Sequence, residues 1–104
     1  MRQVLANIVR NGIEANPGRR VLFDFIVDPS GDRIVLTISN DGAPVAAAIA
    51  DRIFDPYVST RADKHNMGLG LAIVKKIVIE HGGEVAYAAQ DGRPAFIVSL
   101  PRLA

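Results

Sequence analysis

The chain has no cysteine, which excludes a disulfide framework and any thiolate-held metal and is compatible with a reducing compartment. A membrane-length apolar run is also missing. The longest uncharged apolar stretch, residues 43–50, falls far short of the roughly 20 residues that a spanning helix needs, and no signal-peptide pattern opens the sequence. Charge of one sign is scarce too: 12 basic and 11 acidic residues are interspersed to a net +1. No basic stripe therefore offers itself to nucleic acid, and no polybasic run to a membrane surface. No repeat, low-complexity tract or linker is found. The two histidines, His65 and His81, are too few without cysteine to suggest a zinc site, and His81 reads as a cation at a helix C-terminus. What remains is 104 residues, 49% of them apolar, enough for one domain built on a single core.

Val4, Leu5, Ile8, Val9 and Ile13 recur at helical spacing, and Asn16-Pro17-Gly18 ends the pattern, so the spacing predicts an amphipathic helix over 3–15. Val21, Phe23, Phe25 and Val27 alternate, as do Ile34, Leu36 and Ile38 across the turn Pro29-Ser30-Gly31-Asp32. Strands over 20–28 and 33–39 are therefore predicted as a hairpin. Asn40-Asp41-Gly42-Ala43-Pro44 forms another turn, residues 46–54 suit a short helix, and residues 55–67 lack any period and read as a loop. Leu71, Ile73, Val74, Ile77 and Val78 give a helix over 68–80 with a wide apolar arc, ended by His81-Gly82-Gly83. Strands over 84–89 and 95–100 make a second hairpin across Asp91-Gly92. The order αββααββ predicts an α+β fold, a two-layer sandwich with helices on one face of a mixed, mostly antiparallel sheet.

Chemistry is suggested first by Gly68-Leu69-Gly70-Leu71, at the start of the long apolar helix. Glycines there let backbone approach an anion, and the helix's unpaired N–H groups and positive dipole end favour a phosphate. The same glycines also suit an ordinary turn. At about 100° per residue, Asn7, Asn11 and Glu14 lie within about 60° of one another beside the apolar face of the first helix. Such a strip is either a solvated face or a set of ligands. Asparagine is a mediocre helix former, and its carboxamide oxygen is a hard donor suited to Mg²⁺, which is commonly completed by waters and substrate phosphates.

Four segments together resemble one family. Asn7-Ile8-Val9-Arg10-Asn11-Gly12 resembles the N box, Asn40-Asp41-Gly42 the G1 box, Phe54-Asp55-Pro56-Tyr57 the F box and Met67-Gly68-Leu69-Gly70-Leu71 the G2 box of the catalytic ATP-binding domain of bacterial sensor histidine kinases. The order and spacing match over nearly the whole chain. The runs Tyr57-Val58-Ser59-Thr60-Arg61 and 72–78 look most like nitrogen-regulation kinases. The resemblance implies a Bergerat ATP-binding fold over 1–104, with ATP and Mg²⁺ as ligands and a cytoplasmic location. Asn11 would ligate Mg²⁺, and Asn7 would sit beside the phosphates. Met67, Gly68, Leu69, Gly70 and Leu71 would contact the phosphate chain, residues 55–67 would form the ATP lid with Phe54 at its root, and Arg61 would reach the phosphates. Domains of this family usually carry a further strand upstream and a helical dimerisation domain with the phosphoacceptor histidine. That partner domain, and indirectly a response regulator, are the implied partners.

Gyrase and heat-shock chaperone ATPases of the same kind carry glutamate where Asn7 stands. Asparagine is no general base, which favours phosphoryl transfer over hydrolysis. The G1 segment departs from the usual Asp-Asn-Gly-x-Gly. Counting back from Phe54 puts Asn40 at the aspartate that reads the adenine amino group and Pro44 at the second glycine, with Asp41 able to serve if the loop shifts by one. Two other functions fit the same fold: a degenerate, non-catalytic nucleotide-binding or protein-interaction module, and a serine kinase of the anti-sigma type.

Overall fold

The structure, a computed structural model, describes residues 2–45, 50–55 and 70–101. Helix α1 covers Arg2–Glu14, strands β1 and β2 cover Phe23–Ser30 and Arg33–Asn40, a 3-10 turn covers Ala50–Arg52, helix α2 covers Gly70–Glu80, and strands β3 and β4 cover Glu84–Gln90 and Arg93–Pro101. The strands form one four-stranded sheet in the order β1-β2-β4-β3, and every described pairing is antiparallel. The α+β expectation holds.

Each helix buries one stripe. Val4, Ile8 and Gly12 of α1 and Leu71, Val74 and Val78 of α2 are buried, spacings of four and eight in α1 and of three, four and seven in α2 that keep a single face inward. They meet Ile38 of β2 and Phe96 and Val98 of β4 in one core. In α2 the chain ends as a Schellman cap: Gly82 takes φ +77, its N–H bonds to Ile79 O at 2.9 Å, and Gly83 N–H bonds to Val78 O at 2.9 Å. The His81 Nδ1 lies 2.8 Å from Ile77 O, at the helix end where the sequence places it.

The β3–β4 hairpin turns on Asp91 (φ 54) and Gly92 (φ 75), the two left-handed residues that a type I′ turn demands. The first hairpin is tighter than its sequence suggests. Pro29 and Ser30 do not belong to the turn but pair with Ile34 and Arg33, leaving Gly31, at φ 61, to turn the chain. Proline is tolerated there because β1 is an edge strand. A second difference concerns burial. Phe23, Phe25 and Val27 stand opposite Asn40, Ile38 and Leu36 on the helix-facing side, yet Phe25 is 50% and Val27 64% exposed, because the core residues of α1 reach β1 at Phe23 alone. The short helix expected over 46–54 is, in its described part, the 3-10 turn followed by Ile53 and Phe54.

Candidate functional site

Helix α1 carries the asparagine strip between the core and α2. Asn7 is buried at 8% exposure, and its Nδ2 donates to the carbonyl of Gly70 at 3.3 Å, so the strip meets the first residue of α2. The resemblance places Asn7 and Gly70 about the same phosphates, and here the two residues touch. Asn11 follows one turn later, half-buried. Leu71, next to Gly70, is a core residue at 7% exposure. Beside Gly70 there is open space: a Cβ built there meets nothing within 4 Å.

The 40–42 turn closes against the other end of α1. Gly12 is buried, and a Cβ on it would lie 2.9 Å from the Phe23 ring and 3.0 Å from the Asn40 Nδ2. The missing side chain thus allows the Asn40 carboxamide to approach the helix backbone. Asn40 itself is 4% exposed, and its Oδ1 accepts the Gly42 N–H at 2.7 Å, an Asx-type turn. One lone pair of that oxygen is therefore committed within the loop.

Asp41 points elsewhere. Its Oδ1 accepts the Leu22 N–H at 3.0 Å, its Oδ2 lies 3.4 Å from the Arg19 guanidinium, and its backbone N–H bonds to Leu22 O at 3.1 Å. Arg19 also donates to the Asp41 carbonyl at 3.2 Å. The Leu22 N–H, more than Arg19, holds the Asp41 carboxyl below the ordinary carboxylate range. Asp41 braces the 19–22 segment against the turn.

Phe54 packs edge-on to Phe96, with ring centroids 6.2 Å apart, and Phe96 in turn meets Tyr87 at 5.4 Å. The Tyr87 hydroxyl accepts the Val45 N–H at 2.8 Å, so an aromatic row fastens both described ends of the 45–54 connection to the sheet. Arg61, Met67, Gly68 and Leu69, with residues 56–67 of the expected lid, lie outside the described residues. Among the described residues no group of three His, Cys, Asp or Glu could hold a metal, and α1 offers the carboxamide oxygen of half-buried Asn11 as a hard donor one turn from Asn7. That donor fits Mg²⁺ completed by phosphate oxygens and water.

Two residues of this region escape a reading of the sequence. Asn16 reads there as part of a helix stop, and Tyr87 is passed over within the strand expected at 84–89. In the structure Asn16 spans α1 and the 42–43 backbone. The available signal was a carboxamide four residues beyond Gly12, ahead of a proline.

Helices on one face of an antiparallel sheet, with a polar strip of α1 set against the start of α2, are features of a known ATPase family. The model of the Histidine kinase-, DNA gyrase B-, and HSP90-like ATPase family matches residues 1–104, and the chain belongs to that family. It is 37% identical to the sensory histidine kinase/phosphatase NtrB of Rhodobacter capsulatus over 95% of this chain and 31% of that protein. It is likewise 37% identical to the sensor histidine kinase ZraS of Escherichia coli strain K12, over 95% of this chain and 21% of that one. The chain thus spans a third or less of the curated relatives it matches. Among solved structures, the nucleotide-free catalytic domain of histidine kinase ThkA superposes with a TM-score of 0.81 at 30% identity, over 96% of this chain and 65% of that one. ThkA has also been solved in complex with the response regulator protein TrrA, with a TM-score of 0.77 at 29% identity over 97% of this chain and 28% of that one. The family, the fold and the likeness to NtrB and ZraS agree with the resemblance drawn from the four boxes.

Proposed function

We propose that residues 1–104 are the catalytic ATP-binding domain of a sensor histidine kinase, which binds Mg-ATP between α1 and the start of α2. The observation that carries this is the hydrogen bond from Asn7 to Gly70 O, since it fixes the asparagine strip beside the end of α2 whose N–H groups and dipole favour phosphate. Asn11 would hold Mg²⁺ through its carboxamide oxygen, while Gly70 and Leu71, with Met67, Gly68 and Leu69, would contact the phosphates. Arg61 would add a positive charge to them. Mg²⁺ bound there would neutralise phosphate charge. Asn40, buried at the end of α1, is the better-placed residue to read the adenine amino group. Gly42 would line the base end of the site, its lack of a side chain leaving room for the Asn16 amide, and Phe54 would anchor the root of the lid on Phe96.

In the proposed reaction the γ-phosphoryl group leaves the β,γ-bridging oxygen of ATP for an imidazole nitrogen of a histidine on a separate dimerisation domain, releasing ADP. A response regulator would then take the phosphoryl group from that histidine. Positioning and charge neutralisation do most of this work, and Asn7 supplies no base for water. No described helix is long and apolar enough to cross a membrane. The proposed use of ATP would suit a cytoplasmic location. Asn40 and Pro44 in the G1 segment favour a degenerate module, but Asn7, Asn11, Phe54, Gly68 and Gly70 keep the family pattern in the other three boxes and support a working kinase over it.

Titrating the chain with ATP, in Mg²⁺ and then in EDTA, tests the reading. Saturable binding that Mg²⁺ strengthens is expected, and Asn11→Ala should remove that strengthening while sparing binding in EDTA. No binding in either buffer would sink the proposal, and equal losses in both would take Asn11 out of the metal shell.

A further inference from the structure

Asn16 uses both ends of its carboxamide. Nδ2 donates to the Gly12 carbonyl at 2.8 Å, one of the carbonyls that the end of α1 leaves without a helical partner. Oδ1 accepts the Ala43 N–H at 3.1 Å. Its amide group also fills the space where a Cβ on Gly42 would stand. A single side chain therefore joins the C-terminal turn of α1 to the loop that holds Asn40. The Ala residue lacks both bonding groups, Asp lacks the donor, and Gln is one methylene too long.

We infer that Asn16 is a positioning residue for the base-reading half of the nucleotide site, an inference that rests on the function proposed above. Gly12 and Asn16 lie one turn apart, and a Cβ on Gly12 would come within 3.0 Å of the Asn40 Nδ2. The clamp thus fixes where Asn40 and Gly42 sit relative to α1. It sets the base end of the cleft without touching the end formed by Asn7, Asn11 and Gly70. Gly42 is matched to it, because any larger residue at 42 would displace the Asn16 amide.

The test compares the chain with Asn16→Ala, Gly42→Ala and the double variant, each titrated with ATP, AMP and magnesium tripolyphosphate alongside thermal melting. Asn16→Ala should weaken ATP and AMP by about tenfold, the scale of one or two lost hydrogen bonds, and leave tripolyphosphate unchanged. Gly42→Ala should weaken ATP similarly, and the double variant should be little worse than either single one, because position 16 then no longer occupies the space. Unchanged ATP affinity in a folded Asn16→Ala, or parallel losses for ATP and tripolyphosphate, would overturn the inference. If Asn16→Ala does not fold, Gly42→Ala decides, since wild-type affinity for ATP and AMP in that variant overturns it equally. Failure of the unmodified chain to bind ATP would instead defeat the proposed function.

Discussion

The Oδ1 of Asn40 accepts the N–H of Gly42 at 2.7 Å while its Nδ2 faces the backbone at Gly12. Asn40 is therefore held through its oxygen before any ligand arrives, and the remaining lone pair of that oxygen is what an adenine amino group could use. Asn40→Asp would make both hydrogen bonds of that oxygen charge-assisted, roughly doubling the strength of each, but would bury a charge in the free protein. We expect this variant to melt lower without nucleotide and to bind ATP a few-fold more tightly, by about 1 kcal/mol, with GTP remaining weak. Asp41→Ala should lower the melting temperature without altering the preference for ATP over GTP. Paired ATP and GTP titrations check both, and a lost preference in Asp41→Ala would return the base-reading role to Asp41.

Acid should loosen the 19–22 segment. The Asp41 carboxyl is held below its ordinary value by the Leu22 N–H and by Arg19, so the folded chain binds its proton less readily than the unfolded one. The stabilisation is complete above the unfolded carboxyl value of about 3.9 and is lost as pH falls through the lower folded value. Melting curves should show Asp41→Asn closing its stability gap to the parent as pH falls below about 4. A gap that is independent of pH would show that the Asp41 charge contributes nothing.

Removing the Tyr87 hydroxyl should unfasten the 45–54 connection. Tyr87→Phe keeps the ring packed on Phe96 but leaves the Val45 N–H without its acceptor. A loss of about 1 kcal/mol is expected in urea unfolding, with a faster amide exchange at Val45. Unchanged exchange there would mean that the amide finds another partner.

What could be read in advance divides by range. Asp91-Gly92 announced its turn because both residues tolerate a positive φ, and the strip of Asn7 and Asn11 followed from helical geometry alone. The place of β1 at the sheet edge could not be seen. Its alternation of Phe23, Phe25 and Val27 looks the same whether or not a helix covers it, and Pro29 looks like a turn residue unless the strand is known to have a free side. Asn16 was hidden for a related reason: its oxygen meets Ala43, 27 residues along the chain, and no local pattern encodes that meeting. The opposite directions of the Asn40 and Asp41 side chains were hidden too, because composition at a turn does not contain direction.

The pairing of β2 with β4 has a consequence for how the site comes to exist. Two-residue turns close each hairpin, whereas Arg33 and Pro101 must meet across most of the chain's length. Asn7, Asn11, Asn16 and Asn40 all precede that gap, and Gly70 and Leu71 come after β2 and before β4. The proposed site is thus a joint between two halves of one chain, with no meaning in either half alone. The β2–β4 seam and the packing of α1 on α2 hold those halves together, so a ligand bridging them would act as a rivet. Amides of β2 and β4 should then exchange together, and ATP should slow both strands by the same factor.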